Sequence, residues 1–386
     1  LSIKKKRIMI TGARAPITLH LCRVLAESGN EIYTADSVFH ALAKSSRYSK
    51  EYFLYPSPKF ETHRFIECLI QIINKREIDV LIPTCEETFY ISMFRKQLSH
   101  YCDVFVDEFD KMKLLHHKGN FIQFVADLGF KTPKTFLLSS QLVPFFIERE
   151  FPSEFVLKKV YSRFSESVTF YKSGDEIPKC DFTNSSWLIQ ERIRGTQYCS
   201  YGIARDGKLL AHAVYKSEFT AGIGATLTFE HSEKDDIELF VKMIVEKLSY
   251  TGQISFDFIV NQAGIAIPIE CNPRATSGLH LFGKEIAHSI INDEIRETMY
   301  PKKETKEAIK LGVLLYSMKN VKSIYQIKRF FLMLFTYKDT VYRKNDKTPF
   351  FYQFICMYDL WKASRKNHVN MLEQSTYDIS WDGEDI

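Results

Sequence analysis

No two of the eight cysteines form a CxxC pair. Cys22, Cys68, Cys85, Cys102, Cys180, Cys199, Cys271 and Cys356 are scattered singly. That spacing indicates neither a zinc site nor a dithiol redox motif, and in a chain of 386 residues it reads as reduced thiols of a cytoplasmic protein. No apolar run approaches the ~20 residues that cross a bilayer. The basic start at Lys4–Arg7 leads into an apolar run that ends at Gly12, too short for a secretory signal. A strong surplus of one charge is also missing. A formal net charge of +5 with no long basic run leaves no footprint for nucleic acid. Glycine is scarce where a dinucleotide fold needs it. Thr11-Gly-Ala-Arg-Ala-Pro16 carries one glycine in place of three, with Pro16 close to the third position. An NAD-dependent oxidoreductase is therefore a weak alternative.

What is present begins as a βαβ unit. Arg7–Ile10 reads as a strand, Ile17–Ser28 as a helix with Leu21, Val24 and Leu25 inward, and Glu31–Ala35 as a strand closed by Asp36. A second helix is expected over Thr62–Lys75 and a buried strand over Asp79–Pro83. Thr84-Cys-Glu-Glu-Thr88 follows at the carboxyl end of that strand, where open α/β sheets place ligands. Glu86 and Glu87, with Arg14 in the first turn, are the candidates there for substrate contact. The competing role for the two acids is dipole-favoured residues at a helix start.

The most informative stretch is Gly252–Arg274. Ile254–Val260 and Ile265–Ile269 read as two strands joined by a turn at Asn261–Gly264. Asp257 stands between Phe256 and Phe258 in an otherwise apolar strand, and a buried carboxylate needs a partner. Glu270 and Asn272, two apart, share one face of the second strand. Two carboxylates and an amide oxygen form a hard site suited to Mg²⁺, with Mn²⁺ as a substitute. Arg274 follows and can hold an anion beside the metal.

FDF, a short turn and then IECNPR resemble the metal-binding segment of ATP-grasp enzymes, most closely the carbamoyl-phosphate-synthase large-chain type. The resemblance implies that Asp257, Glu270 and Asn272 bind Mg²⁺ bridging the ATP phosphates, and that Arg274 faces an acyl phosphate. It extends over roughly residues 7 to 290. Lys118, in a helix expected over Asp110–Gly129, matches the first phosphate lysine. Lys158, in the strand Phe155–Val160, matches the second, with Lys159 where relatives carry proline. Tyr161–Ser167 occupies the place of a glycine-rich phosphate loop but has no glycine, leaving Ser162, Arg163 and Ser165 as side-chain substitutes. Ser186–Ser200 resembles the hinge that receives adenine. Gln190 and Glu191 end its strand, the backbone of Glu191, Arg192 and Ile193 meets the base, and Gln197 stands where most relatives place an acid for the ribose.

Lys216–Phe229 reads as a loop able to close over the site. Glu238–Leu248 reads as a helix with Leu239, Ile244, Val245 and Leu248 inward, and a last helix is expected from Ser277-Gly278 to about His288. Beyond Pro301 the resemblance fades. The aromatic segments Ile324–Phe335 and Pro349–Trp361 read as a lid or packing element in preference to a membrane-surface helix, and Asp378–Asp385 is an acidic tail.

The expected fold is α/β: a Rossmann-like pre-ATP-grasp domain over residues 1–110, a two-lobed α+β ATP-grasp domain over 111–300, and a C-terminal helical, aromatic extension over 301–386 packing on the core. The expected activity is ATP-dependent ligation of a carboxylate to an amine or similar nucleophile. Its cofactors are ATP and Mg²⁺ and its partners small molecules, with a homodimer left open. The alternative is an ATP-binding sensor or scaffold without turnover.

Overall fold

A computed structural model describes residues 5–138, 149–151, 153–163, 167–175, 187–221, 224–291, 297–317 and 323–384. Cys180, Ser165 of the expected phosphate loop, Ser186 at the head of the expected hinge, Gly222 and Ile223 of the expected closing loop, and Asp385 of the tail lie outside the described residues.

The first sheet is wholly parallel. Its strands β1 (Arg7–Thr11), β2 (Glu31–Asp36), β3 (Ser49–Leu54), β4 (Val80–Ile82) and β5 (Asp103–Val104) lie in the order β3-β2-β1-β4-β5. Buried apolar strands alternate with the helices Pro16–Glu27 and Thr62–Arg76, the pattern that generates right-handed crossovers. The loops after β1 and β4 meet at the carboxyl ends. Gly12, at φ +73°, has no room for a side chain, because a Cβ there would stand 2.6 Å from Thr84 Oγ1.

A four-stranded antiparallel sheet of β6 (Thr135–Leu138), β7 (Glu154–Lys159), β8 (Thr169–Lys172) and β9 (Trp187–Glu191) has the order β6-β9-β7-β8. The largest sheet contains β10 (Thr196–Arg205), β11 (Lys208–Lys216), β14 (Thr228–Ser232), β15 (Gly252–Val260), β16 (Ala266–Asn272), β17 (Lys306–Ala308) and β18 (Lys338–Asp339), ordered β16-β15-β10-β11-β14-β17-β18. The short pair β12 (Thr220–Ala221) and β13 (Ala225–Thr226) stands apart from it. This architecture is the expected α/β class, with a parallel first sheet and a two-lobed α+β part.

Three expected helices differ. Asp110–Gly129 is two helices, Phe109–His116 and Lys118–Asp127, broken at His117, whose ψ of 102° leaves the helical region and whose ring caps the Asn120 N–H. The helix Asp235–Lys247 buries Ile237, Phe240, Val241, Ile244 and Val245, while Leu239 is exposed. Starting three residues earlier, at Asp235, the helix presents the stripe i, i+3, i+4, i+7, i+8 from Ile237, which excludes position 239. Ser277–His288 is two 3-10 turns, Ser277–Leu281 and Lys284–Ile286, followed by a short helix at Ala287–Ile291.

The chain beyond Pro301 is stitched to the rest. β17 and β18 extend the large sheet. The buried Arg23 guanidinium donates to Asp346 Oδ2 at 2.8 Å and to the carbonyls of Thr340 and Val341. In the helix Ile324–Thr336, Phe330 and Met333 pack against Leu227, Ala308 and Val313. The helix Thr348–Asn367 instead leaves Phe351, Phe354, Tyr358 and Trp361 exposed. Among the described residues no helix is long and apolar enough to cross a membrane.

Candidate active site

The β15–β16 hairpin depends on one irregularity. Ile259 pairs with Ile267 and Phe258 with Pro268, but Asp257 then pairs with Glu270. Ile269 is the extra residue of a bulge. Pro268, with no N–H to give, stands beside it, where proline is tolerated in a sheet. Without the bulge Asp257 would face Ile269 and Glu270 would turn to the opposite side of the sheet. With it, Asp257, Glu270 and Asn272 share one face. Phe256, Phe258 and Cys271 go to the other, into a core that includes Phe240.

Two lysines complete this face. Lys158, on β7 and 5% exposed, donates to the carbonyl of Ile269 at 3.4 Å. The break at His117 puts Lys118 at a helix start. Its Nζ lies 3.6 Å from Glu270 Oε2 and donates to the Ser162 carbonyl at 3.0 Å. Burial pushes the Asp257 carboxyl well up, reinforced by the neighbouring Glu270 charge. Burial acts on Glu270 in the same sense, but Lys118 and Lys158 outweigh it and hold Glu270 low. The two shifts run in opposite directions, Asp257 favouring its protonated form and Glu270 its charged form, the behaviour of two carboxylates in one site. Burial lowers Lys158 to about 8. Cys199 lies across from Asp257 on β10, with its thiol pushed up by burial and by the Asp257 charge.

Beside the pair, Arg274 Nη2 donates to Asn272 Oδ1 at 3.3 Å and Nε to Glu86 Oε1 at 2.8 Å. Glu86 is 1% exposed, and its other oxygen stands 2.9 Å from Arg163 Nε. Burial would raise this carboxyl, yet the two guanidiniums keep it below the usual carboxylate range. Arg163 also donates to Asp382 Oδ1 and to the Trp381 carbonyl, both at 2.7 Å. Trp381 is itself buried against Phe89, Phe109, His116 and Tyr161. The acidic tail therefore holds Arg163 and Tyr161 through Asp382 and Trp381. Sequence reasoning did not identify this role, although a tryptophan within an acidic stretch was the available signal.

The other candidates are placed differently. Glu87 turns inward, accepting from Thr11 Oγ1 at 2.7 Å and from the N–H groups of Thr84 and Cys85. Arg14 is occupied by Asp36 and Asp378, at 2.6 Å each. This also removes Asp36 as a ribose ligand for a dinucleotide. At the end of β9, Gln190 is buried and donates to Thr135 Oγ1. Glu191 accepts from the Lys134 N–H, and the Arg192 N–H donates to the Glu154 carbonyl. Among the described residues no acceptor meets the Ile193 N–H, which leaves it able to donate to a base edge. Gln197 is partly exposed on β10, opposite Ile259.

The donor set fits a hard divalent cation. Asp257 and Glu270 face each other where a cation would satisfy both, and the Asn272 oxygen lies on the same face. The lysines and Arg274 around it suit a polyanion.

Residues 115–278 match the family model described as the ATP-grasp domain. Among solved structures, N5-carboxyaminoimidazole synthetase from Staphylococcus aureus, complexed with ADP, is similar with a TM-score of 0.63 at 10% identity, over 82% of this chain and 86% of that one. The biotin carboxylase–β-γ-ATP complex from Campylobacter jejuni gives 0.57 at 16% identity, over 76% and 69%. L-amino acid ligase from Bacillus licheniformis gives 0.55 at 13%, over 75% and 71%. At these identities the likeness is one of fold. No curated protein matches the chain.

Proposed function

We propose that this chain, whose residues 115–278 match the ATP-grasp domain, is an ATP-dependent ligase that joins a substrate carboxylate to an amine or similar nucleophile through an acyl phosphate. A carboxylate oxygen takes the γ-phosphoryl group and ADP leaves. The nucleophile then bonds to the acyl carbon, the C–O bond to phosphate breaks, and the nucleophile's proton is released. The observation that carries this reading is the bulged hairpin, which sets Asp257 against Glu270 beneath Lys118 and Lys158.

Asp257, Glu270 and Asn272 would hold Mg²⁺, with Mn²⁺ as a substitute. A bound ion of this kind neutralises charge on the transferred phosphoryl group. Lys118 and Lys158 bind phosphate oxygens, and their burial strengthens each charge by excluding water. The Glu191–Ile193 backbone receives the adenine edge, and Gln197 the ribose. Arg274 neutralises the acyl phosphate, held in place by Glu86 at one end and Asn272 at the other. Glu86 is a positioning residue in this scheme, because Arg163 and Arg274 already engage both its oxygens. The substrates are small molecules. The cytoplasm is the compartment that suits the seven described cysteines, all of them free.

The test is Glu270→Ala, assayed by ADP release across a panel of acids and amines. The variant is expected to remain folded and lose turnover, and retained turnover would refute the assignment.

A further inference from the structure

The large sheet has a second chemically equipped place, at the edge opposite the metal pair. A cavity of about 520 Å³ opens there between the helix Pro16–Glu27, the turns Ser277–Ile286 and the strands β17 and β18. That volume is in the range of small-molecule sites.

Two buried side chains in its wall each carry a polar atom with no hydrogen bond among the described residues. His280 is 2% and Thr340 3% exposed, and among the described residues neither His280 Nδ1 nor Thr340 Oγ1 meets a hydrogen-bond partner. Such groups are rare and costly unless something else satisfies them. Glu307 joins them. It pairs on β17 with Phe229, whose ring stacks on His280 at 5.6 Å, so Glu307 and His280 face the same side of the sheet. Burial pushes its carboxyl up to about 7. The other two acids of the wall are already used, Glu285 by the Gly283 N–H and Asp339 by the Val341 N–H. At the mouth stand Lys302 and Lys338, both exposed and, among the described residues, without an ion-pair partner.

Glu307, His280 and Thr340 supply acceptors in the wall, Lys302 and Lys338 stand exposed at the rim, and the further cation of the lining, Arg343, pairs with Glu27 at 3.2 Å. Glu307, His280 and Thr340 can take the three N–H bonds of an ammonium group, and Lys302 and Lys338 can take a carboxylate. A simple anion would leave the wall acceptors unsatisfied, and a simple amine would leave the rim lysines unpaired.

We infer that this cavity is a second binding site, separate from the nucleotide cleft, for a small zwitterion of the free amino-acid class. The inference does not depend on the proposed ligase reaction, because the site shares no residue with the metal hairpin.

The test is calorimetric titration of the full chain, without nucleotide, using glycine, L-alanine, L-glutamate and L-lysine. Acetate, methylamine and inorganic phosphate serve as single-charge probes. At least one amino acid is expected to bind saturably and more tightly than every single-charge probe. Glu307→Gln and Thr340→Val are each expected to weaken it about 10-fold, the loss of a hydrogen bond to a charged group, while Glu270→Ala leaves it unchanged. Two variants are used so that a folding defect in one, seen as a lost cooperative melt, leaves the other to decide. Three results would overturn the site: no binding by any amino acid, equal binding of phosphate or acetate, or binding that Glu270→Ala abolishes and both cavity variants leave intact.

Discussion

If Asp257 and Glu270 share one proton, substitutions at the two positions should be strongly non-additive in stability while all being equally harmful to catalysis. At pH 7 the pair carries one negative charge, which balances Lys118 and Lys158, each 5% exposed at the side chain or residue level. Asp257→Asn replaces a protonated carboxyl by a neutral group of the same shape and should cost under about 1 kcal/mol. Glu270→Gln removes the charge that keeps Asp257 protonated. Asp257 should then ionise in its place, and the cost should remain near 1–2 kcal/mol, as an order-of-magnitude figure. The double substitution leaves two buried ammonium groups with no counter-charge. A broken buried pair costs about 3–5 kcal/mol, although loss of the Lys158 proton, whose pKa is already about 8, would recover part of it. The coupling should therefore exceed about 1 kcal/mol. Urea unfolding of the wild type, both single variants and the double variant at pH 7 measures it, and ADP release should be lost in all three variants. Additive stabilities within about 0.5 kcal/mol would mean that the acids do not interact as described. A catalytically normal Asp257→Asn would remove them from the metal site altogether.

Further outcomes follow from neighbouring features. The free enzyme's kcat/KM for ATP should fall as pH rises through about 8, because Lys158 is cationic below that value and neutral above it. Lys158→Arg should move this basic limb upward, and an unchanged limb in that variant would assign it elsewhere. Asp382→Ala should release Arg163, lowering kcat about 10-fold with ATP KM nearly unchanged, and a variant with normal kcat would leave the tail without a catalytic role. Trp381→Ala should cost roughly 3–5 kcal/mol in urea unfolding, as for other buried aromatics cut to alanine. A loss below about 1 kcal/mol would contradict its core position. Deleting Ile269 should close the bulge and leave Glu270 opposite Asp257, because the pairings on either side of it are kept. Metal-dependent ATP binding by calorimetry should therefore survive, and its loss would show that this register is not what aligns the acids.

Much of this site is legible in the sequence. An ionisable residue within Phe-Asp-Phe, followed by Glu and Asn two apart, marks a carboxylate that a strand must bury and therefore partner. Lys158 is legible in the same way, as a charge interrupting an apolar strand, whereas Lys118 is marked only by the family resemblance. The bulge was harder to read, because Ala-Ile-Pro-Ile-Glu satisfies a strand pattern in either register, and only Pro268 signalled an interruption. The break at His117 has no glycine or proline to mark it. It follows from tertiary demand, since it lets Lys118 reach Glu270 and the Ser162 carbonyl. The turn of Glu87 toward Thr11, the turn of Glu86 toward Arg163 and Arg274 and the burial of Trp381 each depend on contacts across many residues of chain. Local composition does not encode such contacts. The exposed aromatic face at Phe351–Trp361 is the reverse case: its composition suggested packing, and the fold leaves it outside.

A divalent cation that binds between Asp257 and Glu270 should displace the proton that burial favours on Asp257. Calorimetry of Mg²⁺·ATP binding at pH 7, in buffers of different ionisation enthalpy, measures that proton directly. The account predicts release of about one proton per site, and none from Asp257→Asn. Binding with no buffer dependence, or with the same release from Asp257→Asn, would contradict it.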